Sequence, residues 1–152
     1  MQKLKLFLLG LGITCFVQAQ QGKSYNFTFN HMALSVRDVD RSAEFYKNVL
    51  KLPEITNRSK LEGVRWFSLG DGKELHLIAI IKEPVTANKA LHLALTTADF
   101  DSFFKELARS GIAYSDWPGA AGKINVRADG VKQVFFQDPD GYWIEINSQA
   151  TK

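Results

Sequence analysis

Cysteine is nearly absent from this chain: Cys15 is the only one in 152 residues. If the first nineteen residues are removed in processing, none remains, which excludes disulfides, thiolate metal ligands and a thiol nucleophile. Histidine is also scarce, with three copies. No run of Lys or Arg interleaved with aromatics occurs, so nucleic acid is not an expected partner. Long hydrophobic runs are missing apart from Leu4 to Val17, which is too short for a convincing membrane span.

That single run defines the amino terminus. Lys3 and Lys5 give it a basic start, and Val17-Gln18-Ala19 offers the small-x-small pattern of a cleavage site. Residues 1–19 are therefore expected to be a signal peptide, with Gln20 the first mature residue and the protein exported to a periplasm or secreted. A retained N-terminal anchor is the alternative. Lipid attachment at Cys15 fits poorly, because Gly12-Ile13-Thr14 lacks the leucine and small residue of a lipoprotein site. Processing removes two lysines and no acid, so the net charge falls from +3 to +1. The remaining chain of about 133 residues is enough for one domain with a sizeable core. Residues 20–27 read as a loose lead.

The rest alternates rather than forming long helices. Phe29 to Val36 reads as a strand, with Met32, Leu34 and Val36 on one face and His31, Ala33 and Ser35 on the other. Asp38 and Asp40 open a helix running to about Leu50, with Ala43, Tyr46, Val49 and Leu50 inward. Arg65–Leu69 and Leu75–Ile81 read as strands joined by Gly70-Asp71-Gly72-Lys73. Leu91–Thr97 is a further strand, followed by a helix from about Asp99 to Arg109 that Gly111 closes. Val134–Gln137 and Tyr142–Asn147 form a last pair across Asp138-Pro139-Asp140-Gly141. The stretch Pro118 to Gly122 is the one long flexible segment and a candidate lid.

Laid against itself, the chain repeats. His31-Met-Ala-Leu-Ser35 matches His92-Leu-Ala-Leu-Thr96 at an offset of 61, each followed by an Asp-x-Asp helix start. Trp66-Phe67, Gly72 and Leu75-His76-Leu77 match Phe135-Phe136, Gly141 and Ile144-Glu145-Ile146 at an offset of 69. The difference of eight is an insertion in the second unit, where the glycine-rich stretch lies. Only two copies fit, so the fold class expected is α+β, built from two βαβββ modules rather than a solenoid. Module 1 covers about 28–82 and module 2 about 90–148, within one domain at 28–148.

The repeat places all three histidines, His31, His76 and His92, at equivalent strand positions, and the fourth such position holds Glu145. Singly, each reads as an ordinary strand residue; as a set related by a pseudo-twofold axis, they are expected to converge on one point. A half-buried carboxylate among imidazoles costs several kcal/mol unless paired or coordinated, and a divalent cation resolves that cost. Three nitrogens and one oxygen suit Zn, Ni, Co, Mn or Fe(II).

Asn30 to Val36, the helix from Asp40 to Leu50, and Phe136-Gln-Asp-Pro-Asp-Gly-Tyr-Trp-Ile-Glu145 resemble the vicinal oxygen chelate superfamily. It includes glyoxalase I, fosfomycin and bleomycin resistance proteins, methylmalonyl-CoA epimerase and extradiol dioxygenases. The resemblance implies that each module curls into a half-barrel, with a metal held in the cleft by His31, His76, His92 and Glu145. It also implies a small-molecule substrate, and leaves open whether the cleft closes within one chain or across a homodimer. Glyoxalase I of bacterial type usually has a glutamate where this chain has His76, so a two-carboxylate proton shuttle is not carried over intact.

Three readings follow. The first is a metal-dependent, glyoxalase-like lyase or isomerase, with Glu145 moving a proton and His76 either a ligand or an acid–base group. Ser35, Glu74, Thr96, Trp143 and Asn147 share the ligand faces by strand parity and are the candidate substrate contacts. The second is an Fe(II) dioxygenase using His31, His92 and Glu145. The third is a non-catalytic binding or resistance protein. Stable membrane insertion is not expected for any of them.

Overall fold

A computed structural model describes residues 25–149 except 82 and 84. The expected signal peptide at 1–19 and the start of the lead lie outside the described residues. Two βαβββ modules follow one another. The first comprises β1 (His31–Ser35), α1 (Val39–Asn48), β2 (Glu54–Ile55), β3 (Val64–Gly70) and β4 (Lys73–Ile78). The second comprises β5 (His92–Thr96), α2 (Phe100–Arg109), β6 (Tyr114–Ser115), β7 (Asn125–Val126), β8 (Lys132–Gln137) and β9 (Trp143–Asn147). Their sheets are open and share one strand plan, β1-β4-β3-β2 and β5-β9-β8-β6, with β7 paired to β8. In each, the first and last strands pair in parallel and the others antiparallel. The two-residue strands β2, β6 and β7 are not among the expected elements. β7 lies in the insertion of module 2. No helix among the described residues is long and apolar enough to cross a membrane.

The local chemistry explains the boundaries. Asp38 caps α1, its Oδ1 accepting from the amides of Asp40 and Arg41 at 3.0 Å each. The second Asp-x-Asp start works differently. Asp99 makes no side-chain cap; Thr97 Oγ1 takes the Asp99 amide, and Asp101 pairs with Lys132 at 2.7 Å. Gly70, Asp71 and Gly72 all adopt positive φ at the β3–β4 hairpin, after a register shift between Ser68 and Gly70. Two glycines there relieve a turn that L-residues rarely adopt.

Both sheets send their apolar faces into one core. Leu34, Val36, Phe67, Leu75 and Leu77 come from the first sheet, and Leu93, Val134, Phe136, Ile144 and Ile146 from the second. Ala43 and Tyr46 of α1, and Phe100 and Leu107 of α2, fill the same cluster. Phe136 touches a ring of each helix, with centroids 6.3 Å from Phe45 and 6.2 Å from Phe103.

The Asp138-Pro139-Asp140-Gly141 turn is more than a hairpin connection: it joins the modules. Asp138 Oδ1 accepts from the amides of Asp140 and Tyr142, and its Oδ2 accepts from the Tyr46 hydroxyl at 2.8 Å. Asp140 Oδ2 accepts from Ser42 Oγ at 2.6 Å, and its Oδ1 from the Arg37 amide and Nε. Tyr142 in turn donates to the Ser35 carbonyl at 2.9 Å. Burial opposes the charge on Asp140, yet the Ser42 and Arg37 hydrogen bonds outweigh it and hold this carboxyl below its usual range.

Candidate functional site

Strand alternation decides where the polar residues go. With the apolar faces turned into the shared core, the opposite faces carry the candidate site residues. On the first sheet these are His31, Ala33 and Ser35 of β1, Glu74 and His76 of β4, and Trp66 and Ser68 of β3, matched by register. On the second they are His92, Ala94 and Thr96 of β5, Trp143, Glu145 and Asn147 of β9, and Gln133, Phe135 and Gln137 of β8.

The four expected ligands therefore meet as two pairs. His31 and His76 stack with ring centroids 4.3 Å apart. His92 Nε2 lies 3.2 Å from Glu145 Oε2. Among the described residues, no group of three or more His, Cys, Asp or Glu side chains is close enough to hold one metal ion. The expected convergence of all four is thus absent within a single chain, because each pair sits on a face turned away from the common core.

The second pair is rigidly prepared. Lys89 carbonyl can only accept, so His92 Nδ1 at 2.9 Å carries a proton, and Nε2 is the nitrogen turned toward Glu145. Glu145 Oε1 accepts from Gln133 Nε2 and Asn147 Nδ2, each at 2.8 Å, which leaves Oε2 as the outward oxygen. The 3.2 Å between this imidazole nitrogen and the carboxylate oxygen is the spacing of two neighbouring ligands on an ion with bonds of about 2.1 Å, whose edges span roughly 3.0–3.4 Å. These residues fit a divalent metal.

The first pair belongs to a larger stack. Arg58 lies 4.6 Å above the Trp66 ring, Trp66 lies 4.0 Å from His76 at an interplanar angle of 6°, and His31 covers the other face of His76. Glu74 ties the layers together, accepting from Arg58 at 2.7 Å and from His76 Nε2 at 2.8 Å. The His76 and Arg58 hydrogen bonds hold the Glu74 carboxyl below its usual range. Nε2 being engaged, Nδ1 is the His76 nitrogen left for a ligand or a proton. Asn30 Oδ1 takes His31 Nδ1 at 2.7 Å, leaving its Nε2. The buried Trp66 Nε1 has no hydrogen-bond partner among the described residues, an orphaned donor beside His76.

The five candidate substrate contacts occupy different environments. Trp143 lines a cavity with Trp117, Phe135 and Lys89. Glu74 and Asn147 are engaged in orienting His76 and Glu145. Thr96 Oγ1 donates to the Asn147 and Gln149 carbonyls, and Ser35 Oγ to the Ile81 carbonyl. Ser35 lines a separate hollow with Arg37, Ile81 and Tyr142, at the opposite end of β1 from His31.

Sequence reading overlooked Gln133, Trp66, Arg58, Phe135 and Lys89. The repeat carried a signal for two of them, since Trp66 and Phe135 are equivalent at the offset of 69. The glycine-rich segment is also braced, contrary to the flexible lid expected there. Asp116 Oδ1 accepts from the Gly119 and Ala120 amides at 2.8 and 2.7 Å, and Lys89 Nζ donates to Ser115 Oγ and the Asp116 and Trp117 carbonyls.

The sequence model of the Glyoxalase/Bleomycin resistance protein/Dioxygenase superfamily matches residues 28–146, most of the chain. The protein belongs to this superfamily. Among its superfamily relatives, "Glyoxylase I 4" of Arabidopsis thaliana is 30% identical over 125 residues, 78% of this chain and 69% of that protein. "Metallothiol transferase FosB" of Shouchella clausii is 28% identical over 123 residues, 78% of each. The solved structure "Oxidase ChaP-H2" superposes with a TM-score of 0.69 at 24% identity, over 83% of this chain and 96% of that one, and so shares the fold.

Proposed function

We propose that this superfamily member is a divalent-metal-dependent, glyoxalase I-like lyase or isomerase whose site assembles between two copies of the chain. The His31–His76 half of one copy faces the His92–Glu145 half of the other. The observation that carries this reading is the placement of two prepared half-sites on faces directed away from a single core. A second copy brings them together without unpacking that core, whereas convergence in one chain requires breaking the Asp138–Asp140 joint. Apolar side chains next to His31 and His92 in the chain are exposed, Phe29 at 57% and Leu91 at 60%, the surplus expected of a surface that is covered in an assembly.

When bound, a divalent ion polarises a carbonyl and lowers the pKa of the neighbouring C–H. The protein groups then divide the remaining work. Glu145, anchored through Oε1 by Gln133 and Asn147, offers Oε2 to take a proton. The same carboxylate, having taken the proton from one carbon, can return it to the adjacent carbon. His76, oriented by Glu74 through Nε2, presents Nδ1 from the opposite side as a ligand or hydrogen-bond acceptor. The substrate class this supports is a small molecule with two vicinal oxygens, and the likeness to "Glyoxylase I 4" favours a lyase over a binding protein.

A second reading, Fe(II)-dependent oxygenation, is favoured by one feature. The Glu74 bond and the Trp66 stack hold His76 back, leaving His31, His92 and Glu145 as a two-histidine, one-carboxylate set. Export with removal of residues 1–19 accompanies either reading; Gln20 at the amino terminus of the mature protein supports it, and an intact Met1 overturns it.

Metal analysis with size measurement tests the proposal. A tag-free dimer is expected to bind one divalent ion per chain, and His92→Ala to lose it. A monomer that binds the ion as tightly sinks the assembly. Hemithioacetal turnover with Ni, Co or Zn supports the lyase, and Fe(II)-dependent oxygen consumption the second reading.

A further inference from the structure

The two polar faces differ in a way the repeat does not require. In module 1 the face is filled: Trp66 is covered by Arg58 on one side and His76 on the other, with Glu74 beside them. In module 2 the equivalent of Trp66 is Phe135 and the equivalent of Glu74 is Trp143. There the face is hollow, with a cavity of about 350 Å³ bounded by Trp117, Phe135, Trp143, Ser115, Gly119 and Lys89. Two of its walls also contact His92: the ring centroids of Trp117 and Phe135 lie 6.0 and 5.8 Å from the imidazole. The cavity therefore adjoins the His92–Glu145 pair.

From these walls we infer that the cavity holds the planar aromatic body of the substrate, with its two adjacent oxygens directed at His92 and Glu145. This deepens the metal-dependent reading and rests on it. Trp117, Phe135 and Trp143, with Tyr114 also in the lining, supply flat, polarisable surfaces suited to stacking or edge contact. Trp117 is 46% exposed and borders the opening. Lys89 is the sole charged residue among those lining the cavity. Its ammonium lies 4.8 Å from both the Phe135 and Trp143 rings, and it already donates to Ser115 Oγ and the Asp116 and Trp117 carbonyls. Its three N–H groups are spent on bracing the wall, so the cavity has no free charged donor to anchor the carboxylates of a flexible peptide conjugate. The volume lies within the range of small-molecule pockets and suits a one- or two-ring compound.

The test uses the full mature protein stripped of metal with EDTA and titrated with 2-naphthol, which has one oxygen and needs no metal. Saturable quenching of tryptophan fluorescence is expected, confirmed by calorimetry. Trp117→Ala and Trp143→Ala should each weaken binding about tenfold. Trp143→Phe should stay within about threefold of wild type, which guards against a folding defect in the alanine variant. S-hexylglutathione should bind at least about tenfold more weakly than 2-naphthol. No saturable naphthol binding, alanine variants that bind like wild type, or a preference for S-hexylglutathione overturns the inference. Because no metal is present, a failure here leaves the metal-dependent reading standing, while loss of metal binding with naphthol binding retained would do the reverse.

Discussion

Removing one hydroxyl at the module joint, in Tyr46→Phe, isolates the interaction on which the arrangement of the two modules depends. Tyr46 is fully buried, and its ring remains in the variant, so the apolar packing against Phe45 and Phe67 is kept. What disappears is the 2.8 Å hydrogen bond to Asp138 Oδ2, a carboxylate only 6% exposed. Stranding a buried charged acceptor costs about 1.5–3 kcal/mol, or roughly 5–12 °C in Tm for a domain of this size. The pH dependence adds a signature. Burial pushes the Asp138 carboxyl above its ordinary value of 3.8, although Tyr46 and the Tyr142 and Asp140 amides pull the other way. The folded state thus holds the Asp138 proton more tightly than the unfolded chain. Its stability rises as pH falls through the folded pKa toward 3.8. Tyr46→Phe removes a donor that favours the charged form and pushes the carboxyl higher still, so acidification should rescue the variant more than wild type. Urea unfolding at neutral and acidic pH measures both effects. A loss below about 0.5 kcal/mol at neutral pH, or a deficit that does not narrow on acidification, refutes the role given to this joint.

Two further substitutions probe the half-sites. Asn147→Ala removes one of the two donors on Glu145 Oε1; metal affinity read by chelator competition should fall about 10- to 100-fold, and an unchanged value means that Glu145 is not held for a ligand role. Glu74→Gln breaks the carboxylate that fixes His76. Imidazole ¹⁵N shifts of the metal-free protein should show the Nε2–H form giving way to a mixture, and an unaltered His76 spectrum means that Glu74 does not set its tautomer.

Particular residues show what could be read before folding was known. His31, His76, His92 and Glu145 were assigned to the correct strand faces because a period of two is a local property of the chain. The strands β2, β6 and β7 went unseen because two residues, such as Asn125-Val126, carry no period. The Asp138–Asp140 turn looked like a hairpin connection, since the partners that give it a larger role, Tyr46, Ser42 and Arg37, lie about a hundred positions away. The same nonlocality left open whether the site closes within one chain or across two. A repeat establishes that His76 and Glu145 are equivalent; whether their faces look toward or away from each other depends on which faces share a core. Composition likewise suggested freedom at Pro118–Gly122, where Asp116 and a distant Lys89 in fact pin the loop.

Subunit complementation tests the central claim most directly. His31→Ala and Glu145→Ala each disable one half-site, so neither homodimer should bind the metal tightly. After the two are mixed, unfolded and refolded together, a mixed dimer contains one site built from two damaged halves and one from two intact halves. Recovery of one tight metal site per mixed dimer is the predicted result. If mixing restores nothing while wild type treated in the same way regains its metal, the four residues do not meet across two chains and the proposed assembly is wrong.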